Sequence, residues 1–362
     1  MRALAVLTVR NEGAFLLEWL AHHRAVGFTD FLVLSNDCQD GTDLMLDRLA
    51  DLGWLTHLRN DGPHDKGGIQ FTAMKKAGKH RLVKKADWIL TLDIDEFVNI
   101  HVGDHTLAAL WAALPEATAI TLTWRLFGNA DTIRYRDRPI TDSFVRCAPA
   151  VMFWPWRASM FKTLYRNDGT YSKLGVHRPR GPDPDRLANA RWFDGEGRDL
   201  GEQIKTSRVF SAYGRPNYKL AQLNHYPLGT MESFVLKADR GRAVHSDHML
   251  DVDYWVERNF NTDVDNSVRA IAPKSLPLRK DLHADPELHR LHLAAVQWRQ
   301  QRFLELMEQE PYRALFARLL MTPPSRPISQ NSARTLTGFA NLGRMKETGG
   351  EKDTPGEGET PQ

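Results

Sequence analysis

Three carboxylates stand within four residues after the apolar run 89–92: Asp93, Asp95 and Glu96 in "DIDEFV". Burying these charges without partners would cost several kcal/mol, so we expect a counter-charge or a ligand beside them. With a turn after the strand, one aspartate can ligate a divalent cation while the other holds a coordinated water or a ribose hydroxyl. Such oxygen ligands favour Mg²⁺ or Mn²⁺, and phosphate oxygens of a substrate usually complete the coordination.

Polar residues also follow two other predicted strands. "TVRNEG" places Arg10, Asn11 and Glu12 after the first strand, and "SNDCQDGT" places Asn36 and Asp40 after the second. Each stretch has a local explanation as well, because Asn, Asp and Gly form turns and acidic residues favour helix starts. Ligands of open parallel sheets bind at the carboxyl ends of the strands. The occurrence of all three stretches in order, each directly after a buried strand, therefore favours one shared site.

The elements that must position these residues alternate along the first 130 residues. Short apolar runs rich in β-branched residues predict buried strands, and runs with helical spacing separate them. The predicted strands are 3–9, 31–35, 54–58, 88–93 and 119–127, and the predicted helices are 14–27, 43–53, 68–86 and 105–114. This alternation indicates βαβ units, and thus an α/β fold with a mainly parallel sheet flanked by helices.

The rest of the chain is less regular. Strand-like pieces occur at 159–166 and 218–226 within a stretch rich in Gly, Pro, Arg and aromatic residues, and helices are predicted at 231–242, 251–260 and 285–309. We divide the chain into a ligand-binding half (1–130), an irregular region with C-terminal helices of the same domain (131–322) and a disordered tail (323–362). The tail ends in "GGEKDTPGEGETPQ", whose composition cannot bury enough apolar surface to offset its ordering entropy.

Composition narrows the class of protein. The chain has 362 residues and a net charge of +3, which is too small to indicate nucleic-acid binding but suits an anionic ligand such as a nucleotide or a lipid phosphate. Its two cysteines, Cys38 and Cys147, make no disulfide framework, which favours a reducing compartment. We find no signal-peptide features and no apolar run near the ~20 residues that span a bilayer. We expect a cytoplasmic protein, and peripheral contact at the inner face of the membrane stays open.

The segments "LAVLTVRNEGAFLLEWLAHHRAVGFTDFLVLSNDCQDGTDLMLDRL" and "ADWILTLDIDEFV" resemble the family 2-like glycosyltransferases of the GT-A fold. The first resembles that family's opening, and the second resembles its metal-binding D-x-D strand. The resemblance covers about 1–130. "LNHYPLGTMESFVLKADRG" (223–241) resembles a His-Tyr and Lys-x-x-Arg-Gly segment of one subgroup, which extends the resemblance to about 260.

The resemblance implies a Rossmann-like sheet and a hexosyltransferase of polysaccharide biosynthesis. Such an enzyme moves a sugar from a nucleotide-sugar, here a UDP-sugar, to a hydroxyl of a carbohydrate or lipid-linked acceptor. It implies Mn²⁺ or Mg²⁺ and inversion of configuration. By position, the donor is held by Arg10, Asn11, Glu12, Asn36, Asp40, Gln70 and Asp93, and the metal by Asp95, Asp93 and His225. Many members have two Asp where this chain has Ser35 and Asn36, so the base preference stays open, although an Asn oxygen can accept from uracil.

Two of these residues have structural alternatives. Gln70 begins a helix whose lysines and arginine form an ordinary solvated face. His225 ends the strand-like run "YKLAQLNH", where it is equally a late metal ligand of the GT-A type or a histidine hydrogen-bonded beneath the sheet. No residue is assigned as the general base.

Three other functions fit parts of the pattern. A nucleotidyltransferase can use the same sheet and metal, but its first loop is usually Gly-rich and basic, whereas this one is "RNEGAF". A non-catalytic carbohydrate-binding protein could keep the fold, although unused adjacent carboxylates are a liability. A hydrolase with Asp95 and Glu96 as its acid and base ranks last, because neighbours in a strand face apart.

We expect Asp95→Ala to abolish sugar transfer, since this carboxylate would face a metal-bound diphosphate. The substitution opens no core cavity and relieves carboxylate repulsion, so the sequence predicts a largely intact fold. UDP release from a UDP-sugar, measured with and without EDTA, checks the first part. Undiminished turnover in the variant would contradict it.

Overall fold

The computed structural model describes residues 1–64, 68–212, 214–241 and 251–349. Its strands are β1 (Ala3–Val9), β2 (Asp30–Ser35), β3 (Thr56–Arg59), β4 (Trp88–Leu92), β5 (Glu96–Ile100), β6 (Ala119–Leu126), β7 (Arg146–Cys147), β8 (Phe161–Arg166), β9 (Tyr171–Lys173), β10 (Arg180–Pro182), β11 (Trp192–Asp194), β12 (Ala221–His225) and β13 (Asp263–Val264). Within these residues, nine strands form one sheet in the order β3-β2-β1-β4-β8-β6-β12-β5, with β11 beside β6.

Helices flank this sheet. They are α1 (Gly13–Val26), α2 (Thr42–Asp51), α3 (Ile69–Ala77), α4 (Arg81–Lys85), α5 (Leu107–Ala113), α6 (Ile140–Ser143), α7 (Pro184–Leu187), α8 (Glu202–Thr206), α9 (Met231–Arg240), α10 (Val252–Val256), α11 (Ala272–Ala284), α12 (Pro286–Met307), α13 (Glu310–Met321) and α14 (Gln330–Gly349). The predicted fold class, a mainly parallel α/β sheet between helices, is confirmed. None of the described helices has the length and apolar character needed to cross a membrane.

The parallel half of the sheet follows from its apolar runs. Strands β3, β2, β1 and β4 pair in parallel register. The odd residues of β1, such as Ala5 and Leu7, join the core that contains α1, whereas Leu4 and Val6 join the core on the α3 side. Both faces of β1 are therefore buried, which is why its sequence is continuously apolar instead of alternating.

The other half is mixed, and it makes the sheet curl. Strand β8 runs antiparallel between β4 and β6, and β5 runs antiparallel to β12 at the far end of the order. Only residues 93–95 separate β4 from β5. Because four peptide links reach at most about 14 Å, the sheet must curl to bring its last strand beside the end of β4. The predicted strand 88–93 corresponds to β4, and the turn after it leads directly into a further strand, β5, which was not predicted from the sequence.

Two other expectations need correction. The predicted helix 68–86 is divided into α3 and α4, because Gly78 is a poor helix former and His80 caps the second helix by accepting from the Leu82 amide. Of the predicted disordered tail 323–362, residues 330–349 form α14 instead, in which Ala333 is buried. The Gly- and Pro-rich composition that suggested disorder begins only after this helix, and residues 350–362 lie outside the described part of the chain.

A tryptophan of α1 donates hydrogen bonds to the backbone of the turn between β4 and β5. Trp19 is fully buried, and its indole N–H lies 3.2 Å from the carbonyl oxygen of Asp93 and 3.1 Å from that of Glu96. One donor thereby satisfies two backbone acceptors on either side of Asp95. The helix after β1 consequently fixes the direction in which the acidic turn faces.

We expect Trp19→Phe to lower the free energy of unfolding by about 1–3 kcal/mol more than Trp255→Phe does. Trp255 is a matched control, because it is also fully buried and its indole nitrogen has no hydrogen-bond partner among the described residues. Both changes remove the same ring atoms, but only the first takes a hydrogen-bond donor away from the Asp93 and Glu96 carbonyls. Urea unfolding of the two variants measures the difference, and equal losses would show that the indole does not clamp the turn.

Candidate active site

The carboxyl ends of β1, β2, β4 and β12 border a cavity of about 690 Å³, which we call the strand-end cavity. Most of the predicted site residues lie there, together with cations from α9. Its lining includes Arg10, Glu12, Asn36, Gln70, Asp93, Asp95, His225, Lys237 and Arg240. The topology therefore brings together residues that are up to 230 positions apart in sequence, as between Arg10 and Arg240.

The first counter-charge for the acidic turn is a buried lysine. Lys162 is fully buried on β8, and its Nζ lies 2.9 Å from Asp93 Oδ2 and 3.5 Å from Glu96 Oε2. The side-chain amide of Gln70 donates to Asp93 Oδ1 at 3.2 Å. Glu96 also accepts from the Asp93 amide at 2.9 Å and from the Trp124 indole at 2.7 Å. The turn is thus held by one ammonium group and three neutral donors.

Burial and neighbouring charges together set the protonation states of Glu96 and Lys162. Burial raises the pKa of Glu96, and the ammonium of Lys162 opposes that rise only in part. For Lys162, burial lowers the pKa, but the adjacent charges of Asp93 and Glu96 outweigh burial and leave it above its ordinary value. Lys162 therefore stays charged, and removal of its charge would push Glu96 towards its neutral form.

The second counter-charge comes from α9. Lys237 Nζ lies 2.7 Å from Asp95 Oδ2 and donates to the Pro227 carbonyl at 2.8 Å. Burial opposes ionisation of Asp95, but the charge and hydrogen bond of Lys237 together with the neighbouring His225 and Arg240 outweigh burial, so the pKa of Asp95 lies well below its ordinary value. Asp95 is therefore a carboxylate at every physiological pH. The expectation that Asp95→Ala leaves the fold intact needs correction, because it would leave Lys237 as a buried ammonium without its partner.

A second ion pair, between Arg240 of the same helix and Glu12, also lines the cavity. Arg240 also donates to the Arg10 carbonyl at 2.9 Å. Burial raises the pKa of Glu12, and Arg240 lowers it. Lys237 and Arg240 are three positions apart, so they share one face of α9. That face carries two cations to the ends of the strands.

His225 lies beside Asp95 at the end of β12. Its ring packs on Trp124 with 4.2 Å between centroids, and its Nε2 is 3.8 Å from Asp95 Oδ1. Burial lowers the pKa of His225 to about 3, so the ring is neutral at physiological pH. Its Nδ1 is buried and has no hydrogen-bond partner among the described residues.

The donor set fits a metal ion only in part. Within the described residues, no group of three or more His, Cys, Asp and Glu is placed to hold one. Asp95 and His225 remain a candidate pair, since an ionised carboxylate and a neutral imidazole are the forms that bind metals. Asp93, the third predicted ligand, is instead bonded to Lys162 and Gln70. An ion on Asp95 and His225 would need oxygen atoms of a ligand to complete its coordination.

Three residues predicted to bind the donor have structural partners. The Asp40 carboxylate accepts from the Gly13 amide and from Thr42, and it does not line the strand-end cavity, so it ties the β2–α2 loop to α1. The Asn36 side chain reaches the cavity but bonds to Val9, Leu34 and Asn60. Asn11 has a positive φ of 55° and accepts from the Gln39 amide at 2.7 Å. We therefore remove Asp40 from the donor site, since its acceptors are used by the backbone.

Sequence reasoning missed the cations of the site. Lys237 and Arg240 stand in the quoted Lys-x-x-Arg-Gly segment, and their spacing on one helix face was the available signal. Lys162 is the second residue of the strand "FKTLYR", and it is buried there, whereas Arg166 at the end of that strand is exposed. Neither stretch of sequence indicates which carboxylate each cation would meet, because that depends on the sheet order.

Comparison with known proteins gives limited matches. No family model matches this chain. A glycosyltransferase family 92 protein of Ricinus communis is 25% identical over 97 residues, which is 26% of this chain and 16% of that protein. The chain thus spans about a sixth of the length of this curated relative.

Solved structures match over more of the chain but weakly. A fragment of S. aureus TarS in complex with UDP-GlcNAc has a TM-score of 0.32 and 13% identity, with 87% of this chain and 84% of that chain covered. An active-site mutant of LgtC has a TM-score of 0.33 and 13% identity, with 80% and 99% covered. TM-scores this low carry no argument about this chain's activity.

We expect Lys162→Met to lower the free energy of unfolding by about 3–5 kcal/mol near pH 9.5, because it leaves the buried carboxylates of Asp93 and Glu96 without their cation. The loss should be smaller at pH 6. Burial raises the pKa of Glu96 to about 8, so at pH 6 the folded wild type and the folded variant both keep a proton that the unfolded chain releases. Above pH 8 the folded wild type releases this proton, whereas the variant, which lacks the ammonium of Lys162, retains it and continues to lose stability as the pH rises.

Urea unfolding at both pH values measures this dependence. Lys173→Met, at an exposed position of β9, should change neither value. Combining Lys162→Met with Glu96→Gln should remove most of the pH dependence. A loss that is the same at pH 6 and near pH 9.5 would contradict the assignment of Lys162 as the counter-charge of Glu96.

Proposed function

We propose that this chain is a glycosyltransferase that moves a sugar from a nucleotide-sugar, a UDP-sugar, to an acceptor hydroxyl with inversion of configuration. The observation that carries the proposal is the pairing of Asp95 in the acidic turn and Glu12 after β1 with two cations of α9 in one cavity at the strand ends. A departing nucleoside diphosphate is an anion, and preorganised cations stabilise the charge that develops on it. The motif resemblance and the short match to a family 92 glycosyltransferase support the same class of reaction.

Different residues of the chain would bind the diphosphate, the ribose and the metal ion. Lys237, Arg240 and Asp93 line the strand-end cavity. The two cations would face the diphosphate, and Asp93 would accept a hydrogen bond from a ribose hydroxyl. Asp93 is one-third exposed at its side chain, so a lone pair is accessible beside its bonds to Lys162 and Gln70. Asp95 and His225 would hold Mn²⁺ or Mg²⁺, which when bound neutralises charge on the diphosphate. The acceptor is proposed to be a carbohydrate or a lipid-linked sugar.

The geometry weakens one competing function. Glu96 is fully buried, both of its oxygens accept hydrogen bonds within the protein, and it does not line the strand-end cavity. A hydrolase that uses Asp95 and Glu96 as an acid and base pair needs both groups at the scissile bond. This pair is therefore not available for hydrolysis.

The proposal is tested by incubating the full chain with UDP-sugars and Mn²⁺, while released UDP and bound UDP are both measured. We expect UDP binding and metal-dependent UDP release. A nucleotidyltransferase would instead release pyrophosphate from a nucleoside triphosphate and a sugar phosphate. A carbohydrate-binding protein would bind sugars without release of UDP. Either result, or no UDP binding at all, would overturn the proposal.

We expect His225→Ala to raise the Mn²⁺ concentration needed for half-maximal UDP binding at least tenfold, which is about 1.4 kcal/mol. The reason is that the variant removes one of two protein ligands. Calorimetric titration of UDP at a series of Mn²⁺ concentrations measures it without reference to turnover.

His177→Ala is the matched control, since His177 also lines the cavity and packs on Trp124, at 5.6 Å, but has no contact with Asp95. It should leave the Mn²⁺ dependence unchanged. If His225→Ala also leaves it unchanged and lowers the melting temperature instead, His225 belongs to the scaffold.

A further inference from the structure

A second cavity of about 740 Å³ adjoins the strand-end cavity, and we call it the basic cavity. The two share part of their lining. The residues common to both are Glu12, Ile94, Asp95, Lys237 and Arg240. The ion pairs of α9 therefore form a shared wall, that is, a stretch of lining that belongs to both cavities. A molecule in the basic cavity would meet a donor molecule in the strand-end cavity at this wall.

Arg299 is the unusual residue of the basic cavity. It lies on α12, is 6% exposed, and its guanidinium is placed 4.5 Å from the ring centre of Phe15 and 4.9 Å from that of Tyr135. Its Nε has no hydrogen-bond partner, and within the described chain no carboxylate forms an ion pair with it. Burial raises the pKa of Tyr135 to about 12, so that ring is neutral and supplies no counter-charge.

A buried guanidinium without an ion-pair partner is costly, and the more distant charges of Asp40 and Glu12 offset its burial only in part. An anionic ligand in direct contact would reduce that cost. The planar donors of the guanidinium match carboxylate and phosphate oxygens, and the two rings fix its plane in advance. Burial accordingly lowers the pKa of Arg299, although an arginine side chain keeps its proton. The side chain is thus prepared for an anion that the described part of the protein does not provide.

The other charged residues that line the basic cavity also favour an anionic ligand. Four of the five carboxylates in the basic cavity are already in ion pairs: Glu12 with Arg240, Asp95 with Lys237, Asp142 with Arg269 and Asp239 with Arg302. Asp131 is the fifth. Arg134, Arg136 and Arg138 add three exposed cations, for which the described residues provide no ion pair. After internal pairing, positive charge is in excess.

We propose that the basic cavity is the acceptor subsite and that it takes an anionic acceptor, a sugar carrying a phosphate or carboxylate group that binds Arg299. The identity of the subsite rests on the proposed function, whereas binding of the anion does not. The anionic group lies at Arg299, and the acceptor hydroxyl is directed towards the shared wall. The arginines at 134, 136 and 138 attract the charged acceptor to the opening.

The test is calorimetric titration of the full chain with glucose 6-phosphate, glucuronate and neutral glucose, in the presence of saturating UDP so that the strand-end cavity is filled. At least one anionic sugar should bind, and glucose should bind at least tenfold more weakly. Binding of the phosphate alone or of the carboxylate alone identifies which group the cavity prefers. Equal binding of all three sugars, or no binding of either anionic sugar, would overturn the proposal.

Arg299→Met should weaken binding of the anionic sugar at least tenfold, because it keeps the length of the side chain and removes the charge. Arg299→Lys should weaken it less. Arg290→Met is the matched control on the same helix, since Arg290 is exposed and paired only with Glu287, and it should bind as the wild type does. Removal of an unpaired buried charge should not lower the melting temperature. Unchanged anion binding in Arg299→Met would contradict the assignment.

The two proposals can fail separately. UDP binding is measured in the same wild-type and Arg299→Met samples, and it should be equal in both. If the wild type binds no UDP, the proposed function fails, but titration with the anionic sugars still tests the cavity. If UDP binds and Arg299→Met leaves anion binding unchanged, only the inference about the acceptor fails.

Discussion

The buried ammonium of Lys162 is the interaction on which the site depends. It lies between Asp93 and Glu96, at the short turn that joins the parallel half of the sheet to its last strand. Without a cation there, two carboxylates would be desolvated side by side, which is strongly destabilising. With it, the turn can lie within the curled sheet, and Asp95 between them lines the cavity. The stability of the fold and the placement of the acidic turn are thus one electrostatic arrangement.

The same principle extends to α9. Lys237 and Arg240 neutralise Asp95 and Glu12, which come from different strand ends and would otherwise repel each other. These pairs also separate two cavities of similar size. A buried ion pair contributes little net stability, because desolvation offsets its attraction. Here the pairs place charges of both signs in the lining of the cavities. The cations could bind a diphosphate or an anionic acceptor group, and the carboxylates could bind a metal ion.

The polar groups of the site are of two kinds: some have all their hydrogen-bond partners within the protein, and others are left able to bind a ligand. Glu96 has all its partners within the protein, and Asp40 is used by the backbone of its loop. His225 and Arg299, by contrast, each have a buried nitrogen without a partner among the described residues. Unsatisfied buried polar atoms are rare in native proteins, so each calls for an explanation. Both lie in the lining of a cavity, which makes a ligand the simplest explanation.

The sequence alone was sufficient for the parallel half of the fold, because a buried parallel strand is continuously apolar and a helix repeats every 3.6 residues, and both signals are local. The acidic turn, its neighbours Glu12 and Gln70, and His225 were also found from position and resemblance. The counter-charges were not: Lys162 meets Asp93 only because β8 is inserted beside β4, and Lys237 meets Asp95 only because β12 and α9 return to the strand ends. The helix α14 and the strand β5 were likewise missed. Whether a charge is a ligand, a counter-ion or a loop anchor depends on which groups the tertiary structure brings within 3 Å, and no local pattern contains that distance.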